Sequence, residues 1–206
     1  MASAFAKLAF TPTVQNLQKQ NGSAEIYQRF LENEVEAGNK LTEKEIEFIS
    51  KRDGFYQSSI SETNWPYVQF RGGPKGFLKI LDEQTIAYAD FRGNRQFIST
   101  GNFTTNNRTS LILMDYPNRR RLKIWGEVEI IDGTTNPELI TQLHGDTYKA
   151  LPERAILITI TAFDWNCPQH IPQRLTLEEL ESHLQPLKEE IRKLKEENEH
   201  LKRQTQ

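Results

Sequence analysis

From Leu122 to Asp132 the chain alternates. Leu122, Ile124, Gly126, Val128 and Ile130 are interleaved with Lys123, Trp125, Glu127 and Glu129. A period of two buries one face of a strand and wets the other, as in an antiparallel sheet. Similar short apolar or alternating runs occur at Phe55 to Ser61, Tyr67 to Arg71, Phe77 to Leu81, Thr85 to Asp90, Ser110 to Tyr116 and Arg154 to Phe163. Turn-prone residues separate them: Glu62-Thr63-Asn64, Gly72-Gly73-Pro74, Asp82-Glu83 and Pro117-Asn118. Helical spacing interrupts the run at Asn94 to Phe103 and Pro137 to Leu143. Strands in such number with so few helices between them predict a closed or half-closed barrel rather than a parallel sheet.

The two ends have a different rhythm. Residues 1–52 read as helical: Thr13 is the expected N-cap of Val14 to Gln20, and Ala24 to Glu36 repeats apolar residues at helical spacing. Thr42 with Glu45 forms a capping box, with Leu41 and Ile46 as its staple. After residue 174, Leu177, Leu180, Leu184, Leu187, Ile191, Leu194, Asn198 and Leu201 follow at alternating steps of three and four, a heptad seam among Glu and Lys. Thr176 with Glu179 is a second capping box. Pro186 is expected to break this helix near Gln185, because it removes a backbone donor. The seam predicts either pairing between subunits or packing on the chain's own barrel, and Asn198 on it favours pairing. The expected class is therefore mainly β with flanking helices (α+β), divided into residues 1–52, 53–174 and 175–206.

Composition narrows the function. A formal net charge of -2 provides no general basic field for nucleic acid or an anionic membrane. A single cysteine, Cys167, excludes an internal disulfide and fits a reducing, cytoplasmic setting. No signal-peptide pattern opens the chain, and no run of apolar residues is long enough to span a membrane.

Candidate chemistry concentrates in two segments. In Tyr88-Ala89-Asp90-Phe91-Arg92-Gly93-Asn94-Arg95-Gln96, a strand leads through a glycine turn into a helix whose expected N-cap is Asn94. Free amides at a helix start, with Arg92 and Arg95 beside them, suit a phosphate; the alternative is a capped turn with solvated arginines. In Gln69-Phe70-Arg71-Gly72-Gly73, adjacent glycines permit close approach of a ligand, or simply turn a hairpin corner. Cys167 and His170 do not make a metal site, so no metal is expected, and Cys167 reads as a buried structural thiol. No nucleophile elbow, P-loop or paired-carboxylate pattern is present.

Phe10 to Arg174 resembles the pyridoxamine 5'-phosphate oxidase-like family of FMN-binding split-barrel proteins. The stretches that carry the resemblance include LTEKEIEFI, RDGFYQSSIS, WPYVQFRGGPKGFLKILDE, ADFRGNRQFISTGN, LILMDYPNRRRLKIWG and DWNCPQHIPQR. It implies a split β-barrel homodimer with FMN at the subunit interface and a small-molecule substrate. It places Gln69, Phe70, Arg71 and Gly72 beside the flavin, and Ala89, Asp90, Asn94, Arg95 and Gln96 at the phosphate. Arg121 is the match for a further FMN contact, and Asn166 to Arg174 resembles a segment that closes over the flavin. The chain lacks the lysine and the C-terminal arginine-histidine-aspartate-arginine signature with which the authentic oxidase holds its substrate. Phe70 stands where a histidine is common. A flavin-dependent oxidoreductase is the first expectation. A non-catalytic flavin carrier or sensor, or a haem-binding relative using His144 or His170, are the alternatives.

Overall fold

The computed structural model describes residues 2–32, 37–145 and 148–204. The chain divides into two compact units, Met1–Asp115 with Arg120–Pro168, and Tyr116–Arg119 with Gln169–Gln206. The N-terminal helices belong to the same unit as the sheet.

The sheet has seven strands: β1 (Gly54–Ile60), β2 (Pro66–Gly72), β3 (Lys79–Ile80), β4 (Thr85–Phe91), β5 (Arg108–Asp115), β6 (Arg120–Asp132) and β7 (Pro152–Trp165). Their order is β2-β1-β5-β6-β7-β4-β3, and every neighbouring pair is antiparallel. β1 and β4 lie far apart in that order, yet Phe55 of β1 meets Tyr88 of β4 with ring centroids 5.5 Å apart. Phe55 also stacks on Phe77 at 5.6 Å. The sheet therefore curls around one interior, which Phe55, Tyr88, Leu111, Leu113, Leu122, Ile124 and Ile158 fill.

The alternation along β6 is present as read: Leu122, Ile124, Gly126 and Val128 are buried while Glu127 and Glu129 are exposed. At Trp125/Gly126 the register against β7 shifts. A Cβ on Gly126 would lie 2.5 Å from the Thr159 carbonyl oxygen, so only glycine allows the strands to close there. The expected strand Phe77 to Leu81 shrinks to two residues, because Phe77 and Leu78 turn into the core after the Pro74 turn.

Helices α1 (Ser3–Ala9), α2 (Pro12–Gln20), α3 (Ala24–Leu31) and α4 (Glu43–Ser50) precede the sheet. α1 packs Phe5 on Trp125 at 4.7 Å. The N-cap of α2 is Thr11, not Thr13: its hydroxyl accepts from the Val14 amide, and Pro12 fits the first turn, where no amide partner is needed. Residues 33–36 of the expected helix Ala24 to Glu36 lie outside the described residues. The Thr42–Glu45 capping box heads α4 as expected.

Two short helices, α5 (Ile98–Thr105) and α6 (Pro137–His144), interrupt the strands. In the second unit, α7 (Leu177–Gln204) is one helix of 28 residues with Pro186 inside it. The expected break at Gln185 does not occur. Pro186 forfeits one hydrogen bond, and the strong helix formers on both sides carry the helix across it. Cys167 is exposed, which corrects its reading as a buried thiol: the apolar strand has already ended at Trp165. Among the described residues, no helix is long and apolar enough to cross a membrane, and no cluster of three or more His, Cys, Asp or Glu could hold a metal.

Candidate functional site

β4 is buried almost throughout, for a reason that sorts its side chains. Ile86 and Tyr88 face the barrel interior, whereas Ala87 and Ala89 face α6 and pack with Ile140 and Leu143. By the period of two, Asp90 shares the interior side with Tyr88, at the mouth of the barrel. Asp90 is 5% exposed.

A buried carboxylate requires partners, and strand register supplies them. Asp90 of β4 lies directly opposite Arg154 of β7. Arg154 Nε and Nη2 each come within 3.0 Å of Asp90 Oδ2. From the other side of the mouth, Arg71 Nη1 of β2 donates to Asp90 Oδ1 at 3.0 Å. Arg154 also meets Glu153 at 3.2 Å, and Arg92 Nε donates to the same carboxylate at 2.6 Å. The Arg92 guanidinium beside Glu153 holds its carboxyl below the usual carboxylate range.

Asp90, Arg71, Glu153 and Arg154 line a cleft of about 240 Å³ together with Tyr67, Gln69, Asn94, Arg95, Gln96 and the start of α5. Three guanidinium groups of the lining (Arg71, Arg95 and Arg154) stand against two carboxylates (Asp90 and Glu153), so one positive charge is in excess; Arg92, paired with Glu153, is not among the lining residues. Arg71 Nε is buried and has no hydrogen-bond partner, although the same guanidinium is engaged at Nη1. An unpaired buried donor of a charged group is costly unless something else accepts from it.

The rim is strained. Arg95 (φ 60°) and Phe97 (φ 54°) both adopt the left-handed conformation, at about 1–2 kcal/mol each for residues with a Cβ. That backbone turns the chain into α5, so that the amides of Ile98, Ser99 and Thr100 in its first turn have no partner within the helix. Ser99 Oγ donates to Gln69 Oε1 at 3.0 Å, which ties the helix start to β2. The expected N-cap, Asn94, lies one turn too early: the helix begins at Ile98 after Phe97. Asn94 Oδ1 instead accepts from the Gln96 amide at 3.1 Å.

Six of the residues singled out from sequence, Gln69, Arg71, Asp90, Asn94, Arg95 and Gln96, line this cleft. Four do not. Phe70 points away from it, because alternation along β2 puts Tyr67, Gln69 and Arg71 on one face and Val68 and Phe70 on the other. Phe70 packs on Tyr56 and is 58% exposed. Gly72 ends β2 beyond the cleft. Ala89 is on the α6 side. Arg121 is on β6, opposite Met114, and its buried Nε has no hydrogen-bond partner. Arg154, Glu153 and Ser99 escape a sequence reading, and Arg154 has no local signal at all: it opens a strand like any other, and only register brings it to Asp90.

No protein-family model matches the sequence, and no curated protein does. Among solved structures, 72 chains match. Two structures of HupZ from Group A Streptococcus, the second of them a histidine-to-alanine variant, align with TM-scores of 0.51 and 0.50 at 12% identity. They cover 66% and 61% of this chain and 99% and 98% of theirs. A putative pyridoxamine 5'-phosphate oxidase from Lactobacillus delbrueckii aligns over 61% of this chain and 94% of its own, at 15% identity and TM-score 0.48. An FMN-binding protein from Syntrophomonas wolfei covers 75% of this chain and 97% of its own, at 12% identity and TM-score 0.46. At these identities the likeness is one of fold.

Proposed function

We propose that this chain, which has the split β-barrel fold of pyridoxamine 5'-phosphate oxidase-like proteins, binds FMN and serves as a flavin-dependent oxidoreductase for a small molecule. The observation that carries the reading is the cationic excess in the cleft, and above all the unpartnered Nε of Arg71. A phosphomonoester brings roughly two negative charges at neutral pH, the sign that this excess calls for. In this reading Arg71, Arg95 and the first amides of α5 grip the phosphate. Arg154 and Asp90 hold Arg71 in place, and Gln69 and Tyr67 border the path to the ring. Bound flavin would supply the electron chemistry, so the protein needs to bind, orient and shield rather than provide a nucleophile of its own.

The dimension of the cleft bears on assembly. At about 240 Å³ it is smaller than the roughly 300–1,000 Å³ of sites that enclose a ligand of cofactor size. One chain can thus house the phosphate end and leave the ring to be covered from outside. β1 and β2 turn Tyr56, Val68 and Phe70 outward at 41%, 61% and 58% exposure. Apolar side chains that alternate outward on an edge of the sheet suit a second copy of the barrel, which supports a homodimer with FMN between the copies. The haem alternative loses one of its two expected ligands, since both ring nitrogens of His144 face backbone carbonyls, of Gly145 and of Ala150.

The test begins with the visible spectrum of the purified protein and a fluorescence titration with FMN. A colourless protein that fails to quench FMN at micromolar concentration would end this reading. Reduction of the bound flavin by a nicotinamide cofactor, followed by turnover, would support an enzyme, and its absence would favour a carrier. Phe70→Ser should shift the barrel towards monomer in sedimentation and weaken FMN binding together with it.

A further inference from the structure

The heptad seam of α7 stays uncovered within its unit: Leu187, Ile191, Leu194 and Leu201 are 55%, 53%, 57% and 54% exposed. Since the helix runs unbroken through Pro186, the seam extends from Leu177 to Leu201 and is not confined to the part after the proline. In heptad positions, Leu177, Leu184, Ile191 and Asn198 fall at a, and Leu180, Leu187, Leu194 and Leu201 at d. Pro186 falls at c, away from the seam. Leu throughout d, with Ile191 and one Asn at a, is the composition that favours two strands and fixes their register.

The flanking charges choose the orientation. After Pro186, positions g hold Glu190 and Glu197 and positions e hold Lys188, Lys195 and Lys202; before it, Glu181 stands at e and His183 at g. In a parallel, in-register pair, each g residue faces the e residue five places further along the other helix. Glu190 then meets Lys195 of the other copy, and Glu197 meets Lys202. In an antiparallel pair, g faces g and e faces e, so glutamate would oppose glutamate and, Glu181 apart, lysine oppose lysine. Within the helix, the ion pairs Arg192–Glu196 and Glu199–Arg203 use positions b and f, on the outer side, and Lys188 pairs with Glu181 along e.

We infer that α7 is a dimerisation helix that forms a parallel, in-register, two-stranded coiled coil with α7 of a second copy of this chain. The inference rests on the seam and its charge pattern and is independent of the flavin reading. Parallel pairing sets the two Leu177 residues side by side, so that both barrels are tethered at the same end of the coil. A short coiled coil is marginal alone, and a second contact between the same two chains would raise its effective concentration.

The test uses the full chain with Cys167→Ser, so that one new thiol reports position. With Leu201→Cys at d, mild oxidation should link most chains into disulfide dimers, whereas Glu196→Cys at f should yield about tenfold fewer. Introducing Lys195→Glu and Lys202→Glu into the Leu201→Cys chain should lower its yield about tenfold, and adding Glu190→Lys and Glu197→Lys should restore it. An antiparallel pair would hold the two Leu201→Cys thiols roughly 35 Å apart. Absence of the Leu201→Cys disulfide, equal yields at the two positions, or indifference to the charge exchange would each overturn the inference.

Discussion

Of the four carboxylates buried in the barrel unit, Glu45 at 4% and Asp90 at 5% exposure are satisfied in opposite ways. Glu45 is saturated by neutral donors: the Thr42 hydroxyl and amide, and Trp165 Nε1 at 2.6 Å. Asp90 is held by two guanidinium groups that it cannot neutralise alone, and one of them keeps a buried Nε without a partner. A carboxylate surrounded by dipoles anchors structure, here a helix start against a strand end. A carboxylate that organises more positive charge than it cancels builds a place for another anion.

The largest effect should come from Asp90→Ala. It leaves Arg71 and Arg154 facing each other without their shared counter-ion, and removing one partner of a buried ion pair costs about 3–5 kcal/mol. Denaturant unfolding should show that loss; a change below about 1 kcal/mol would mean that the three side chains do not depend on one another as drawn. Arg95→Ala comes next and separates binding from stability. Arg95 is exposed and already left-handed, so stability should move by no more than about 0.5 kcal/mol. Loss of one charge-assisted hydrogen bond should weaken FMN affinity by about 10- to 100-fold in a fluorescence titration. Arg95→Gly should match Arg95→Ala in affinity while unfolding at a higher temperature, since glycine relieves the positive φ.

Glu45→Gln should cost about 1 kcal/mol and leave FMN binding unchanged, because its contacts are with helix and strand and not with the cleft. Its clearest signature is in acid. Burial pushes the Glu45 carboxyl up, but hydrogen bonds from Thr42 and Trp165 outweigh this and hold it below its ordinary value of 4.5. A carboxyl depressed in the folded state contributes stability that is complete above its unfolded value and is lost as pH falls through its folded one. The melting temperature should therefore drop below about pH 4.5, and the Glu45→Gln chain should drop less steeply over that range. An identical acid slope in both chains would assign the acid sensitivity to other carboxylates.

Much of the fold can be read along the chain, since it depends on local pattern. Alternation locates β6 and β7, Thr42-to-Glu45 spacing locates α4, and steps of three and four locate α7. Errors fall where a local rule meets a competing one. Thr13 resembles a cap, but Pro12 prefers the first turn and moves the cap to Thr11. Pro186 reads as a break, but its neighbours are strong helix formers. Asn94 reads as a cap, but strained backbone at Arg95 and Phe97 delays the helix to Ile98. Phe70 is a different case: it adjoins Gln69 and Arg71 in sequence, but the pleat turns it to the opposite face of β2.

By itself the sequence determined most of the strands, the Thr42–Glu45 cap, the heptad seam and the charges that flank it, because each depends on residues a few positions apart. Only tertiary structure decided which charges meet. Arg71, Asp90 and Arg154 come from three strands, and Asp90 and Arg154 are 64 residues apart. Sheet register and the curl of the barrel put them within hydrogen-bonding distance, and no spacing along the chain encodes where a curled sheet brings its edges together.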